Sequence, residues 1–341
     1  MRFRMLVCSV SAVLLASACA TQANGDDPRN EYVLAAGSNR MSYVVTQYMD
    51  ASQLAQQQGL RLRYTTSGTA SNTNLMAGLL SGEYDFVAPG AQTAVDAVSK
   101  GAPVQVVAGI AGSTNVLIMR NDVAPQLPVG GDASPAQRVT ALRGLRIGTA
   151  PPGSSTYDRL RAVLSTSGVD PDKDVTMLGV TDASALAAGL RSDLYDAVWV
   201  AIGDSEPLIA DGTARLWLSF PKGDFEELNE KSLVVVATTQ TIQQHPDVVR
   251  QLRAALAGSS AAIRSDPDTA GQLLKKEWYA GMDQAAFDIG WDQGKQVPPP
   301  NIDFTREDFE RSLAVINQSG ARTDAGVDYD ALVWAEARGG E

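Results

Sequence analysis

Short apolar runs alternate with amphipathic segments along most of this chain, and that alternation limits the folds it can adopt more than any other feature. Four apolar runs in the first third are typical of strands, at 32–36, 60–64, 84–88 and 104–109. Helical periodicity between them predicts helices at 41–57, 75–80 and 91–100. Strands that alternate with helices in this way predict an α/β protein with mainly parallel sheets.

A proline-rich and glycine-rich stretch at 121–137 interrupts the pattern and predicts a loop or domain boundary. A second α/β unit follows, with predicted strands at 145–148, 175–178 and 197–201 and predicted helices at 154–167 and 183–190. Two more strands are predicted at 216–218 and 232–237, and four helices at 241–256, 267–278, 283–293 and 305–318. The two units are alike in plan, and we expect no likeness between their sequences.

The N-terminus has the layout of an export signal. A basic start is followed by an uncharged run at 5–18, which is shorter than the roughly 20 apolar residues of a bilayer span. The run ends Leu-Ala-Ser-Ala before Cys19, which resembles the lipobox of bacterial lipoproteins, although Leu15 lies one position earlier than usual. We expect a signal peptide at 1–18, lipidation at Cys19 and a flexible tether at 19–30; an ordinary cleaved signal with an unmodified Cys19 is the alternative.

Charge and cysteine content exclude several classes of protein. Beyond Cys19 the chain has no cysteine, so an exported body must be stabilised by its core without disulfides. The net charge of −11 does not provide the basic surface that nucleic acid or an anionic membrane requires. The length of 341 residues predicts two domains at about 150 residues each.

Polar turns follow the predicted strands, and open α/β sheets bind ligands at the carboxyl ends of their strands. The candidate ligand-binding residues are Ser38, Asn39, Arg40, Ser67, Gly68, Gly90, Gln92, Asn115, Ser154, Ser155, Thr156, Trp199 and Asp204. The turn at 153–156 is the most informative, because a helix begins there and its free N–H groups and hydroxyls favour an anion. Ser154 or Ser155 can instead serve only as the N-cap, and both roles are compatible.

Several other candidates have two interpretations each. Arg40 can pair with an acid group of the ligand or lie on the surface. Trp199 can form a wall of the cleft or belong to the core. Asp204 and Glu206 can receive a ligand ammonium group or be solvated acids at a helix start. His245, the one histidine, precedes a proline in a predicted surface turn and is expected to be solvated.

Four segments, in the same order, resemble the solute-binding proteins of nitrate, sulfonate and taurine importers. They lie at 81–90, at 100–108, at 142–148 with 153–156, and at 245–249 with 266–270. The resemblance covers roughly 32–320 and implies a periplasmic binding protein type II fold, with two lobes joined by two crossing strands that act as a hinge. It also implies lobe 1 at 31–110 and 205–341, and lobe 2 at 111–204.

The resemblance implies an extracytoplasmic subunit of an ABC importer. Such a protein captures a small anionic solute, such as a sulfonate, nitrate or carboxylate, and presents it to a membrane permease. We expect a monomer attached to the cell membrane through Cys19. A receptor of a TAXI-type tripartite, ion-driven importer is the second hypothesis, suggested by Ser67 to Thr69, but the chain lacks the glycine-rich opening of that class. A ligand-sensing partner of a membrane receptor, built on the same clamp, is the third hypothesis.

An enzyme on the same fold, acting on a small heterocycle or sulfur compound, is the hypothesis from another class. The body provides one histidine and no His-Glu-x-x-His motif, zinc-type cysteine pair or Gly-x-Ser-x-Gly turn, although a pair of carboxylates remains open. We therefore expect no catalysis, no cofactor and no metal.

Overall fold

The computed structural model describes residues 31–38, 40–66, 72–319 and 326–339. The strands in these ranges are β1 (Tyr32–Ala36), β2 (Leu62–Thr66), β3 (Phe86–Ala88), β4 (Val104–Ala111), β5 (Asn115–Arg120), β6 (Arg146–Thr149), β7 (Thr176–Gly179), β8 (Ala197–Ala201), β9 (Ala214–Ser219) and β10 (Leu233–Thr238). The predicted signal peptide, the predicted lipidation site Cys19 and the predicted tether lie outside the described residues.

Helices connect these strands. They are α1 (Val44–Ala51), α2 (Leu54–Gln57), α3 (Asn72–Ser81), α4 (Ala91–Ser99), α5 (Pro135–Thr140), α6 (Ser155–Thr166), α7 (Ala183–Arg191), α8 (Glu206–Ala210), α9 (Thr239–Gln244), α10 (Pro246–Ser265), α11 (Pro267–Glu277), α12 (Gln284–Gly294), α13 (Arg306–Ser319) and α14 (Tyr329–Leu332). Short 3-10 helices lie at Met41–Tyr43, Ala124–Gln126, Glu226–Leu228 and Ala335–Ala337. No helix of the described ranges has both the length and the apolar character that a membrane span needs.

The strands form two five-stranded sheets of the same design. Their orders are β2-β1-β3-β10-β4 and β7-β6-β8-β5-β9. Three neighbouring strands in each sheet are parallel, whereas β10 and β5 run antiparallel to both of their neighbours. The predicted two-lobed α/β fold is confirmed. The sheets are mixed, however, whereas mainly parallel sheets were predicted.

Two segments carry the chain between the sheets. The first, at 112–114, joins β4 to β5, and the second, at 220–232, joins β9 to β10. The predicted end of lobe 2 at 204 is too early for the sheet, because β9 lies beyond it and pairs with β5. Neither crossing is the predicted strand, because 112–114 has no regular structure and 220–232 consists of turns and the 3-10 helix Glu226–Leu228. The two crossings touch, since Ser113 N donates to Asn229 Oδ1 at 2.9 Å.

Several sequence predictions of secondary structure need correction. β5 was not predicted, because only a three-residue break separates its apolar run from that of β4. The helix predicted at 41–57 is broken at Gln53, whose φ of 57° is left-handed. The helix predicted at 241–256 is two helices, because Pro246 lacks an N–H group and begins α10.

The two lobes also share a sequence motif, so the expectation of no likeness between them is wrong. Residues 75–87 and 186–198 align without gaps and are identical at eight of thirteen positions. Both segments contain the end of a helix, a turn and a strand that pairs in parallel with the first strand of its unit. The offset of 111 residues is far longer than the repeats of solenoid or propeller folds, which is why a search for such repeats misses it.

The shared glycines allow the same packing in both lobes. A Cβ atom on Gly78 would lie 2.5 Å from the ring of Tyr84, and a Cβ atom on Gly189 would lie 2.2 Å from the ring of Tyr195. Each tyrosine therefore packs directly on the backbone of the preceding helix, in the space that a side chain would occupy. The motif fixes the helix against the strand that leads toward the cleft.

Candidate ligand-binding cleft

A cleft of about 980 Å³ lies between elements of the two sheets. It shares residues with a deeper pocket of about 100 Å³, which lies near the first crossing segment. The starts of α3 and α4 line it from the first sheet, and the starts of α6 and α7 line it from the second. This placement follows from the topology, because helices that follow parallel strands begin at the carboxyl edge of the sheet.

Gly90 and Ser155 bring the two halves close together at the deeper pocket. A Cβ atom built on Gly90 would lie 3.5 Å from Ser155 Oγ and 3.4 Å from the side-chain nitrogen of Asn72. Gly90 is the N-cap residue of α4 and Ser155 is the first residue of α6. The absence of a side chain at position 90 therefore leaves room for the two helix starts to face one another across the deeper pocket.

The start of α6 separates the two roles predicted for its serines. Gly153 turns the chain with φ of +83°, and Ser154 caps the helix by accepting a hydrogen bond from Tyr157 N at 3.2 Å. The backbone N–H groups of Ser155 and Thr156 have no acceptor among the described residues. Ser154 thus serves the helix, while the next two residues present free donors toward the cleft.

Gln92, in the first turn of α4, lines both the cleft and the deeper pocket. Its amide nitrogen and its amide oxygen are both buried and lack a hydrogen-bond partner in the part of the chain that is described. A buried amide without partners is costly, so both polar atoms of Gln92 are available to water or to a molecule bound in the cleft.

Arg40 and Asp204 form an ion pair across the cleft. Arg40 Nε lies 2.9 Å from both carboxylate oxygens of Asp204. Arg40 follows β1 of the first sheet and Asp204 follows β8 of the second, so the pair links the two halves. Burial raises the pKa of Asp204, and the charge and hydrogen bond of Arg40 offset part of that rise. Both residues line the cleft, and each already has the other as its counter-charge.

Trp199, Glu206 and His245 were also considered in the sequence analysis, and the structure shows what each of them contacts. Trp199 is fully buried, donates from Nε1 to Thr156 O at 3.0 Å and packs edge-on against Phe220, although it also borders the cleft. Glu206 is fully buried and accepts from the backbone N–H groups of the turn before α8, where burial raises its pKa. His245 is partly exposed, packs beside Tyr32 and is not among the residues that line the cleft.

All ten predicted ligand-binding residues that the structure describes line the cleft or its deeper pocket. They are Ser38, Arg40, Gly90, Gln92, Asn115, Ser154, Ser155, Thr156, Trp199 and Asp204. Asn39, Ser67 and Gly68 lie outside the described residues. The rule that open α/β sheets bind ligands at the carboxyl ends of their strands thus selects residues from both sheets that line the same cleft.

The sequence analysis missed a further group of lining residues. They are Asn72, Thr73, Asp158, Arg159, Thr181, Asp182, Ser184 and Ser232. The turn at 180–184 follows the predicted strand at 175–178, so the same rule applied to every strand would have found it. Arg159 lies one helical turn after Ser155 and forms a buried ion pair with Glu230.

Within the described residues, no group of three or more potential metal ligands comes together.

A family model described as NMT1/THI5 like matches residues 55–270 of the 341-residue chain, which is well over half of it. The chain belongs to the NMT1/THI5-like family. No curated protein matches this NMT1/THI5-like chain.

Solved structures of low sequence identity share the fold of this NMT1/THI5-like chain. The aliphatic sulphonate binding protein SsuA from Escherichia coli matches with a TM-score of 0.68 and 15% identity, over 90% of this chain and 92% of that chain. The alkanesulfonate-binding protein SsuA from Xanthomonas axonopodis pv. citri matches at 0.64 and 17%, over 86% and 94%. The nitrate-binding protein NrtA from Synechocystis PCC 6803 matches at 0.56 and 13%, over 77% and 68%. The shared fold is the two-lobed periplasmic binding protein fold.

Proposed function

We propose that this NMT1/THI5-like chain is the extracytoplasmic solute-binding subunit of an ABC importer. The cleft captures a small organic solute with an acid group, and the loaded protein delivers it unchanged to a membrane permease. The protein acts as a monomer held at the cell membrane by lipid on Cys19. The names of the similar structures, which include sulfonate-binding and nitrate-binding proteins of the same fold, support this proposal.

The convergence of helix starts from both sheets on one cleft is the observation that carries the proposal. The free N–H groups of Ser155 and Thr156 lie at the positive end of the α6 dipole. The hydroxyl of Ser155 and the amide of Gln92 line the same deeper pocket. Such a group of fixed donors suits a carboxylate, sulfonate or phosphonate group.

Isothermal titration with a panel of small carboxylates, sulfonates, phosphonates and nitrate tests the proposal. We expect saturable binding of at least one solute. Ser155→Ala is expected to weaken that binding about tenfold, since a hydrogen bond to a charged group contributes about 1.5 kcal/mol or more. Ser165→Ala is the matched control, because Ser165 lies on the same helix and is exposed at its other end.

Two results would contradict the proposal. One is a panel without binding, combined with a native mass spectrum in which no small molecule accompanies the purified protein. The other is an equal loss of affinity in the two serine variants, which would place the solute away from the start of α6. Recovery of a chemically altered solute after incubation would favour the enzyme hypothesis.

A further inference from the structure

Gly90 is a glycine that its own backbone conformation does not require. Its φ of −65° and ψ of 144° lie in the extended region, which any residue can adopt. It is the N-cap residue of α4, yet it supplies no side-chain oxygen to that helix. Ser154 and Asp182, by contrast, cap α6 and α7 with their side chains. What glycine does provide at position 90 is space.

Two hydrogen-bond donors border that space. A Cβ atom on Gly90 would lie 3.4 Å from Asn72 Nδ2 and 3.5 Å from Ser155 Oγ, so a methyl group there would contact both. Neither side chain has a hydrogen-bond partner among the described residues. Both line the deeper pocket together with Gly90. The missing methyl group thus leaves two donors open to the pocket.

The two donors belong to different halves of the molecule. Asn72 begins α3, which precedes β3 of the first sheet, whereas Ser155 begins α6, which follows β6 of the second sheet. The free backbone N–H groups of Ser155 and Thr156 lie at the same helix start. An anionic oxygen beside Gly90 can therefore accept from both halves at once.

The amide of Gln92 is an independent observation at the same place. Gln92 lies two residues after Gly90 and lines the same pocket. Its Nε2 and Oε1 are both buried and have no hydrogen-bond partner in the part of the chain that is described. Because buried polar groups as a rule have partners, water or a solute is expected to contact this amide.

We propose that the space beside Gly90 is a subsite for one oxygen of the solute's acid group. Asn72 and Ser155 donate to this oxygen, and Gly90 keeps the subsite open. This inference rests on the proposed function, and it makes Asn72, which the sequence analysis missed, a solute-binding residue. Because the oxygen contacts both halves, the subsite links capture of the solute to closure of the cleft.

Isothermal titration of propionate, ethanesulfonate, ethylphosphonate and nitrate into the wild type and Gly90→Ala tests the subsite. Each probe that binds the wild type should bind Gly90→Ala about tenfold or more weakly, because the methyl group covers both donors. The Tm should stay within about 3 °C of the wild type, since the methyl group makes only ordinary contacts and the smaller entropy of the unfolded chain offsets a poorer N-cap.

Gly258→Ala is the matched control for Gly90→Ala. Gly258 lies within α10 and is not among the residues that line the cleft. A Cβ atom on Gly258 would also make an ordinary contact, 3.8 Å from the side chain of Leu54. This variant should bind every probe as the wild type does.

A double-mutant cycle tests whether Asn72 and Ser155 hold the same oxygen. Asn72→Ala alone should weaken binding about tenfold. In the Ser155→Ala background it should weaken binding about threefold or less, because an oxygen that Ser155 no longer holds gains little from Asn72. Asn317→Ala is the control and should have no effect, since Asn317 is exposed on α13 and does not line the cleft.

The outcomes separate this inference from the proposed function. Gly90→Ala that binds the probes as the wild type does, or a larger fall in its Tm, would overturn the subsite and leave the solute-binding role intact. Equal effects of Asn72→Ala in the two backgrounds would overturn it as well. If a molecule co-purifies but no probe binds, native mass spectrometry decides, because Gly90→Ala should lack that molecule and Gly258→Ala should retain it. Absence of binding by all four probes, with no co-purifying molecule, would overturn both proposals together.

Discussion

A buried ion pair beneath the cleft ties α6 to the second crossing segment. The side chains of Arg159 and Glu230 are 3% and 0% exposed, and the guanidinium of Arg159 binds both oxygens of the carboxylate. Arg159 also donates to Leu228 O at 3.1 Å. The helix that presents Ser155 to the cleft is thus fixed directly to the segment that joins the lobes.

Glu230→Gln should therefore be strongly destabilising. The substitution leaves the buried guanidinium of Arg159 without a counter-charge, and breaking a buried pair in this way costs about 3–5 kcal/mol of the free energy of unfolding. Urea unfolding followed by circular dichroism measures the loss. Glu307→Gln is the control, because Glu307 is 72% exposed in its pair with Arg311 and should contribute about 0.5 kcal/mol or less. Equal losses in the two variants would contradict the assigned role of the buried pair.

Individual residues of the cleft were predictable where a local rule applied to them. The proline and glycine before Ser154 mark a helix start, so the donors of α6 follow from the sequence alone. The pairing of Arg40 with Asp204 could not be predicted, because these residues follow strands of different sheets and lie 164 positions apart. The sequence predicted both residues as cleft residues, but it did not predict that they form an ion pair with each other.

The motif shared by the lobes contains an aspartate, Asp85 or Asp196, that binds the backbone of the neighbouring strand. Asp85 Oδ2 accepts from Val33 N at 2.9 Å, and Asp196 Oδ2 accepts from Arg146 N at 2.8 Å. In each lobe the carboxylate holds the neighbouring parallel strand in register near its start. Asp196 also forms two hydrogen bonds with the side chain of Arg146.

Asp196→Asn should lower stability in a manner that depends on pH. Burial acts to raise the pKa of Asp196, but hydrogen bonds from the side chain and backbone of Arg146 and the charges of Arg146 and Arg120 hold it below its usual range. A lowered pKa in the folded state means that the carboxylate stabilises the fold above its unfolded pKa of about 4 and loses this effect as pH falls further. We expect a loss of about 1–3 kcal/mol at pH 7.

Urea unfolding of the wild type and the variant at pH 7, 5, 4 and 3 measures this difference. It should be nearly constant between pH 7 and 5 and should shrink below about pH 4. A difference that stays the same at all four values would show that the ionised carboxylate of Asp196 contributes no stability.

Several elements were predictable because turn residues separate the apolar runs around them. β1, α4, α7 and β8 lie within one residue of their predicted bounds, because glycine, proline or polar residues flank them. β5 was missed because residues 112–114 form too short a break between two apolar strands. The short helix α5 lies partly in a predicted loop, where Ser134 and Gln137 form a capping box.

The described chain forms two five-stranded sheets of the same design, of which the second is built from the consecutive strands β5 to β9. β10 returns to the middle of the first sheet after the chain has completed the second. Local periodicity carries no information on which strands become neighbours, so the strand order and the position of the second crossing could not be predicted from the residues alone. The two lobes were predicted from the family resemblance. The boundary between them lies later than predicted, because β9 belongs to the second sheet.

The two crossings lie side by side, and such an arrangement suits a hinge. Ser232 Oγ donates to Gly112 O at 2.8 Å, in addition to the bond between Ser113 and Asn229. Because the described chain passes between the two sheets only in these two segments, rotation about them can change the width of the cleft without unfolding either sheet. A solute that contacts both sides favours the closed arrangement by its extra contacts there.

Small-angle X-ray scattering with and without the tightest-binding solute of the panel tests most directly whether the two halves close on a bound solute. We predict that the radius of gyration falls as the solute saturates the protein, that Ser155→Ala requires about tenfold more solute for the same fall, and that the solute is recovered intact. A bound solute that leaves the scattering of the wild-type protein unchanged, or one that is recovered chemically altered, would contradict a clamp that closes on its solute and releases it unmodified.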